Sequence, residues 1–228
     1  MTIVAQETAV SIPFGSLQLD GDLHVPPGAR GIVLFAHGSG SSRFSPRNRQ
    51  VAAALREGGL ATLLMDLLTR EEERVDEMTR HLRFDIPLLA ERLVGATDWV
   101  RTQPGTRDLR IGYFGASTGA AAALIAAAER PDAVAAVVSR GGRPDLASER
   151  LADVRAPTLL IVGGRDEPVI DMNREALALL RVEKRLEIVP GATHLFEEPG
   201  TLEQVARLAR EWFSAHFAAV ASAPILAE

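Results

Sequence analysis

Six short, predominantly apolar runs separated by helical patterns constrain this chain more than any other feature. They are Ile32 to Ala36, Ala61 to Met65, Leu109 to Phe114, Ala133 to Val138, Thr158 to Val162 and Leu186 to Val189. Runs of this length without polar alternation read as strands buried on both faces. Helical patterns stand between and after them: Pro46 to Glu57, closed by Gly58 and Gly59; Ile86 to Arg101; Thr118 to Arg130, rich in alanine and stopped by Pro131; Asp171 to Leu180; and Leu202 to Phe217. Asp85 suits the N-cap of the second, and Pro87 is tolerated in its first turn. Upstream, Val10 to Phe14 and Leu17 to Val25 read as a hairpin, followed by a turn at Pro26, Pro27 and Gly28. Strand–helix alternation of this kind predicts an α/β fold, a mostly parallel sheet of eight strands with helices on both faces.

Length and charge narrow the function classes. The 228 residues suit one domain spanning 1–228. A net charge of −5 gives no support to nucleic-acid binding. With no cysteine, disulfides, thiolate metal sites and a cysteine nucleophile are excluded. No H-x-H or H-E-x-x-H spacing offers a zinc site, so neither metal nor cofactor is expected. Residues 1–10 lack the pattern of a signal peptide, and no stretch has the length of a membrane span, so a cytoplasmic location is expected. Residues 67–85 form a small charged insertion, longer than an ordinary strand-to-helix loop, that reads either as a solvated helix or loop or as a flap beside the site. Residues 218–228 read as a loosely held tail.

Gly115-Ala116-Ser117-Thr118-Gly119 matches G-x-S-x-G, and here a strand pattern precedes it and a helical pattern follows at once. That is the setting the chemistry requires. The turn lifts the hydroxyl of Ser117 off the sheet, and glycines are needed where flanking side chains would strike backbone. A serine hydroxyl needs a base to take its proton. His194, in the loop after the last strand, is the candidate, because that loop ends on the same sheet edge as the serine turn. His24, His81 and His216 read as surface or packing residues. Asp166 follows the strand Thr158 to Val162 through Gly163, Gly164 and Arg165 and falls between serine and histidine in the required order. Glu167, Asp171 and Asp145 are its competitors. A tetrahedral oxyanion would be met by the backbone N–H of Thr118 and by that of Ser39, with Gly40 as the neighbouring choice, in His37-Gly38-Ser39-Gly40. His37 reads as a residue that orients this loop.

These residues resemble an α/β-hydrolase, and more narrowly the dienelactone hydrolase-related group. The resemblance covers nearly the whole chain and is carried by residues 36–48, the serine turn, residues 139–146 and residues 163–166. It is also similar to a subgroup sometimes joined to a phosphoribosyltransferase domain, which residues 1–228 do not contain. The resemblance implies eight strands with the second antiparallel to the rest, a site at the C-terminal edge of the sheet and no large cap domain. Dienelactone hydrolase itself carries a cysteine nucleophile where this chain has Ser117, so the implied activity is a serine esterase for simple carboxylic esters.

Arg43, Arg140 and Arg143 lie in loops expected near the site edge. They would either recognise a carboxylate or phosphate on the substrate or pair with loop carboxylates such as Asp145 and Asp66. Leu67, Leu68 and Phe196 are candidates for an apolar acyl wall, or for core. The expected partner is a small-molecule ester, with the chain a monomer or homodimer. Two other readings stay open: acyl transfer or perhydrolysis with the same triad, and a non-catalytic binding protein on the same fold.

Overall fold

The computed structural model describes residues 7–218; most of the tail expected at 218–228 therefore lies outside the described residues. The eight expected strands are all present. They are β1 (Thr8–Phe14), β2 (Leu17–His24), β3 (Gly31–Ala36), β4 (Ala61–Met65), β5 (Arg110–Ala116), β6 (Val134–Arg140), β7 (Thr158–Gly163) and β8 (Lys184–Val189). They form one sheet in the order β1-β2-β4-β3-β5-β6-β7-β8. β2 is antiparallel to both neighbours, and every pairing from β4 onward is parallel. The strand order reverses at β3, which pairs with β4 on one side and β5 on the other. The loops leaving their C-terminal ends are therefore brought together, and in open α/β sheets that is where ligands bind.

The helices are α1 (Pro46–Glu57), α2 (Arg70–Thr79), α3 (Ile86–Val100), α4 (Thr118–Glu129), α5 (Glu167–Leu179) and α6 (Thr201–Phe217). Alternate residues of β3 serve two cores. Ile32, Leu34 and Ala36 join α3 and α4, whereas Val33 and Phe35 join α1 and α6. Eleven of the twelve residues of α4 are buried. Alanine suits that helix because it orders at little side-chain entropy cost and lets the backbone come close to its neighbours. Tyr113 is buried in this core beside Thr97, 2.6 Å away. The Thr97 hydroxyl already donates to Leu93 O, so the phenol is the donor of the pair.

The helix caps follow local rules. Ser45 Oγ accepts the N–H of Asn48 at the start of α1, and Asp85 accepts that of Leu88 at the start of α3. α5 begins at Glu167, four residues before the expected start, because Pro168 sits in the first turn, where a missing N–H costs nothing. The charged insertion folds as α2 and a 3₁₀ turn at Leu82–Phe84. Thr69 and Glu72 close a capping box on α2, and Glu72 also receives Arg92 of α3 at 2.7 Å. Residues 144–153 between β6 and β7 form only 3₁₀ turns, an element with no strong periodic signal in the sequence.

Candidate active site

Ser117 stands between β5 and α4 with φ 51° and ψ −122°. Its N–H donates to Arg140 O (3.2 Å), and its carbonyl accepts the N–H of Arg143 (3.1 Å), so the turn is held against the end of β6. The two motif glycines are required by close approach. A Cβ on Gly115 would lie 2.4 Å from Ala120 Cα, and one on Gly119 would lie 2.2 Å from Ala36 O. Left-handed backbone at a serine is unfavourable and persists only where the surroundings fix it.

The structure brings the three expected residues together. His194 Nε2 is 3.4 Å from Ser117 Oγ, and His194 Nδ1 is 2.6 Å from Asp166 Oδ2. Asp166 is largely buried, while the His194 side chain is 37% exposed, so the base reaches solvent. The acid and base loops are laced to each other by backbone. Arg165 N–H donates to Ala192 O (2.9 Å), and Gly164 N–H donates to Val189 O (2.8 Å). Gly163 permits this, since a Cβ there would lie 2.5 Å from Ala192 O and 2.6 Å from Thr193 O. Glu198 Oε2 accepts the N–H of Thr193 (3.0 Å), and the Thr193 backbone and hydroxyl hold this carboxyl below its usual range. The sequence alone gave no pointer to Glu198. The competitors Glu167, Asp171 and Asp145 are not placed on His194; Asp145 is paired with Arg143.

Ser39 and Thr118 also meet, though not as two free donors. The Ser39 N–H donates to Thr118 Oγ1 at 2.9 Å, so in this state the threonine hydroxyl occupies it. The neighbouring Gly40 has φ 68°. His37 is buried beneath the loop. Its Nε2 accepts the N–H of Leu67 (3.1 Å), which leaves Nδ1–H to donate to Gly38 O (3.0 Å). Burial pushes its pKa down, as a neutral ring with that bonding pattern requires. His37 thus ties the 37–42 loop to the chain leaving β4.

A cavity of about 690 Å³ opens beside this loop, bordered by Ser39, Gly40, Arg47, Leu68, Glu73 and Arg83. Leu68 faces it, and Leu67 is core. The insertion therefore does form one wall. Burial, Asp66 and Glu77 push the Glu73 carboxyl above its ordinary value. The other expected substrate contacts are engaged elsewhere. Arg43 lies against Asp20, Asp22 and Asp66, with the Asp66 carboxylate in direct contact, and fixes its loop to β2 and β4. Arg143 forms a two-pronged pair with Asp145 at 2.9 and 2.8 Å. Phe196 is 2% exposed, packed in the α1/α6 core with φ 56°. Arg140 is buried and belongs to no ion pair among the described residues.

Among the described residues no helix is long and apolar enough to cross a membrane. The dienelactone hydrolase family model matches residues 19–221. A Mycobacterium tuberculosis protein provisionally named a phosphoribosyl transferase is 59% identical over 211 residues, which are 92% of this chain and 47% of that protein. The chain thus spans about half the length of this curated relative. Among solved structures, one described as dienelactone hydrolase from Anabaena variabilis is 66% identical, with a TM-score of 0.92, over 93% of this chain and 98% of its own. Est1E from Butyrivibrio proteoclasticus, 16% identical, shares the fold with a TM-score of 0.78 over 92% of this chain and 99% of its own. On this sheet order, this family match and this identity, the chain belongs to the dienelactone hydrolase family and has its hydrolase fold.

Proposed function

We propose that the chain is a serine esterase that cleaves carboxylic esters through an acyl-enzyme. The observation that carries this reading is the continuous chain Ser117 Oγ, His194, Asp166, with gaps of 3.4 and 2.6 Å. Apo hydrogen bonds between nucleophile and base are often long and tighten when substrate binds. Ser117 Oγ attacks the acyl carbon as its proton passes to His194 Nε2. Asp166 holds the Nδ1–H tautomer and stabilises the imidazolium. The Thr118 N–H, at the start of α4, and the N–H of Ser39 or Gly40 face the developing oxyanion. His194 then protonates the leaving alcohol, activates water and releases the acid. Its exposed ring supports water, rather than an excluded acceptor, as the second nucleophile.

Covalent labelling with a fluorophosphonate, read by intact and peptide mass, tests this without knowledge of the natural ester. One adduct on Ser117, absent from Ser117→Ala, is the expected result. A folded protein that takes no adduct would sink the proposal and bring the binding-protein reading forward.

A further inference from the structure

α2 presents its faces in reverse of a helix that merely covers a core. Val75 is 46% exposed and Met78 81%, and the helix buries Asp76 alone. Its carboxylates are the ones turned inward. Glu73, Asp76 and Glu77 stand three and four residues apart, on one helix face, and border the cavity beside Ser39 and Gly40. Folding alone would set the opposite pattern, with the apolar stripe inward. A local rule broken in this way marks a functional surface.

The charges around the cavity do not cancel. Two guanidiniums border it, and each has its own carboxylate. Arg83 lies in direct contact with buried Asp76, and Arg47 meets Glu197 at 3.3 Å. Glu73 and Glu77 belong to no ion pair among the described residues. Burial and the neighbouring Asp66 and Glu77 already push the Glu73 carboxyl up, so a further negative charge there is opposed. The rest of the wall is apolar, from Phe44, Pro46, Leu68 and Leu89. Phe44 is 56% exposed, and the Arg43 guanidinium, itself fixed by Asp66, lies 4.3 Å from its ring centroid and braces it.

The release step decides which part of an ester fills this space. His194 protonates the leaving alcohol, so the alcohol faces the histidine loop, and no residue of positions 190–200 borders the cavity. Gly38 does, and a Cβ there would lie 3.0 Å from Ser117 Cβ, so the cavity opens toward the nucleophile through the oxyanion loop. The acyl group is the part that enters, and about 690 Å³ is room for far more than an acetyl group. Resting on the esterase reading, we propose that this cavity is an acyl pocket selective for uncharged, apolar acyl groups, in which Glu73 and Glu77 repel a carboxylate-bearing acyl group and Phe44, Leu68 and Leu89 supply the contact.

The test compares kcat/KM for 4-nitrophenyl valerate with that for its anionic isostere, 4-nitrophenyl hemisuccinate, in wild type, Glu73→Gln, Glu73→Lys and the double variant Glu73→Gln/Glu77→Gln. Wild type is expected to favour the valerate about tenfold or more, the worth of like charges roughly 10 Å apart near a protein surface. The ratio should fall in Glu73→Gln, and further in the double variant and in Glu73→Lys. Raising the salt to about 0.5 M should lower it in wild type by screening the repulsion, a reading that needs no variant to fold. Phe44→Ala should cut the preference for the valerate over 4-nitrophenyl acetate about three- to tenfold, for apolar surface left uncovered. A wild-type ratio near one or below, or a ratio unmoved in the double variant, would overturn the pocket. Fluorophosphonate labelling of Ser117 in each protein keeps the two questions apart. Loss of labelling in wild type refutes the esterase, whereas intact labelling with either of those ratios refutes only the acyl pocket.

Discussion

Gly163→Ala is the sharpest test of how the acid and base loops are held. The new Cβ would lie 2.5 Å from Ala192 O and 2.6 Å from Thr193 O, and real Cβ contacts essentially never fall below 3.0 Å. Both obstacles are backbone, so the loop itself must retreat by at least about 0.5 Å; no rotamer change can relieve the contact. His194 follows Thr193 directly, and its 2.6 Å bond to Asp166 spans the gap that would open. A misplacement of about 1 Å can cost on the order of a hundredfold, so half of that predicts roughly a tenfold loss of kcat/KM. Overpacking adds about 1–3 kcal/mol of instability. At about 2–4 °C per kcal/mol for a chain of this size, Tm should fall by roughly 2–12 °C. The assay is kcat/KM on an aryl ester, normalised to labelled active sites, beside a thermal melt. Gly105→Ala, where the added Cβ meets nothing within 4 Å, is the control and should change neither. A lowered Tm with full activity per labelled site would refute the claim that this glycine sets the histidine's position. An unchanged Tm would refute the packing argument itself.

Two further outcomes are expected. Thr118→Val removes the hydroxyl that holds the Ser39 N–H and should raise kcat/KM about fivefold, the equivalent of about 1 kcal/mol for one neutral hydrogen bond; a tenfold loss would instead mean that the hydroxyl serves the oxyanion. His37 is held below its ordinary 6.5 by burial, so the unfolded chain takes up a proton below that pH that the folded ring refuses. Stability from this source is complete above pH 6.5 and is lost as the pH falls further; His37→Gln should therefore show a shallower decline of Tm between pH 6.5 and 5 than wild type, and parallel curves would rule this out.

What could be read from the sequence depended on how local each signal is. The buried strands announce themselves by unbroken apolar runs, and α1, α3 and α4 by their caps and stops, because these are properties of neighbouring residues. Ser117, Asp166 and His194 were legible for the same reason: each follows the C-terminal end of a strand, and parallel strands place all such ends on one edge. The fold of the insertion was not read from the sequence, which left helix, loop and flap open; Thr69 and Glu72 stand at capping-box spacing, a signal masked by the run of charges that follows. Nor was the pairing of the arginines. Arg43 meets aspartates on β2 that lie more than twenty residues earlier, and Arg143 meets one two residues later, while Arg140 meets none among the described residues. All three sit in similar glycine- and serine-rich surroundings in the sequence. Only the antiparallel turn of β2 back against β4 brings Asp20 and Asp22 to Arg43. Which of these arginines keeps no carboxylate partner among the described residues is therefore decided by the sheet rather than by the motif.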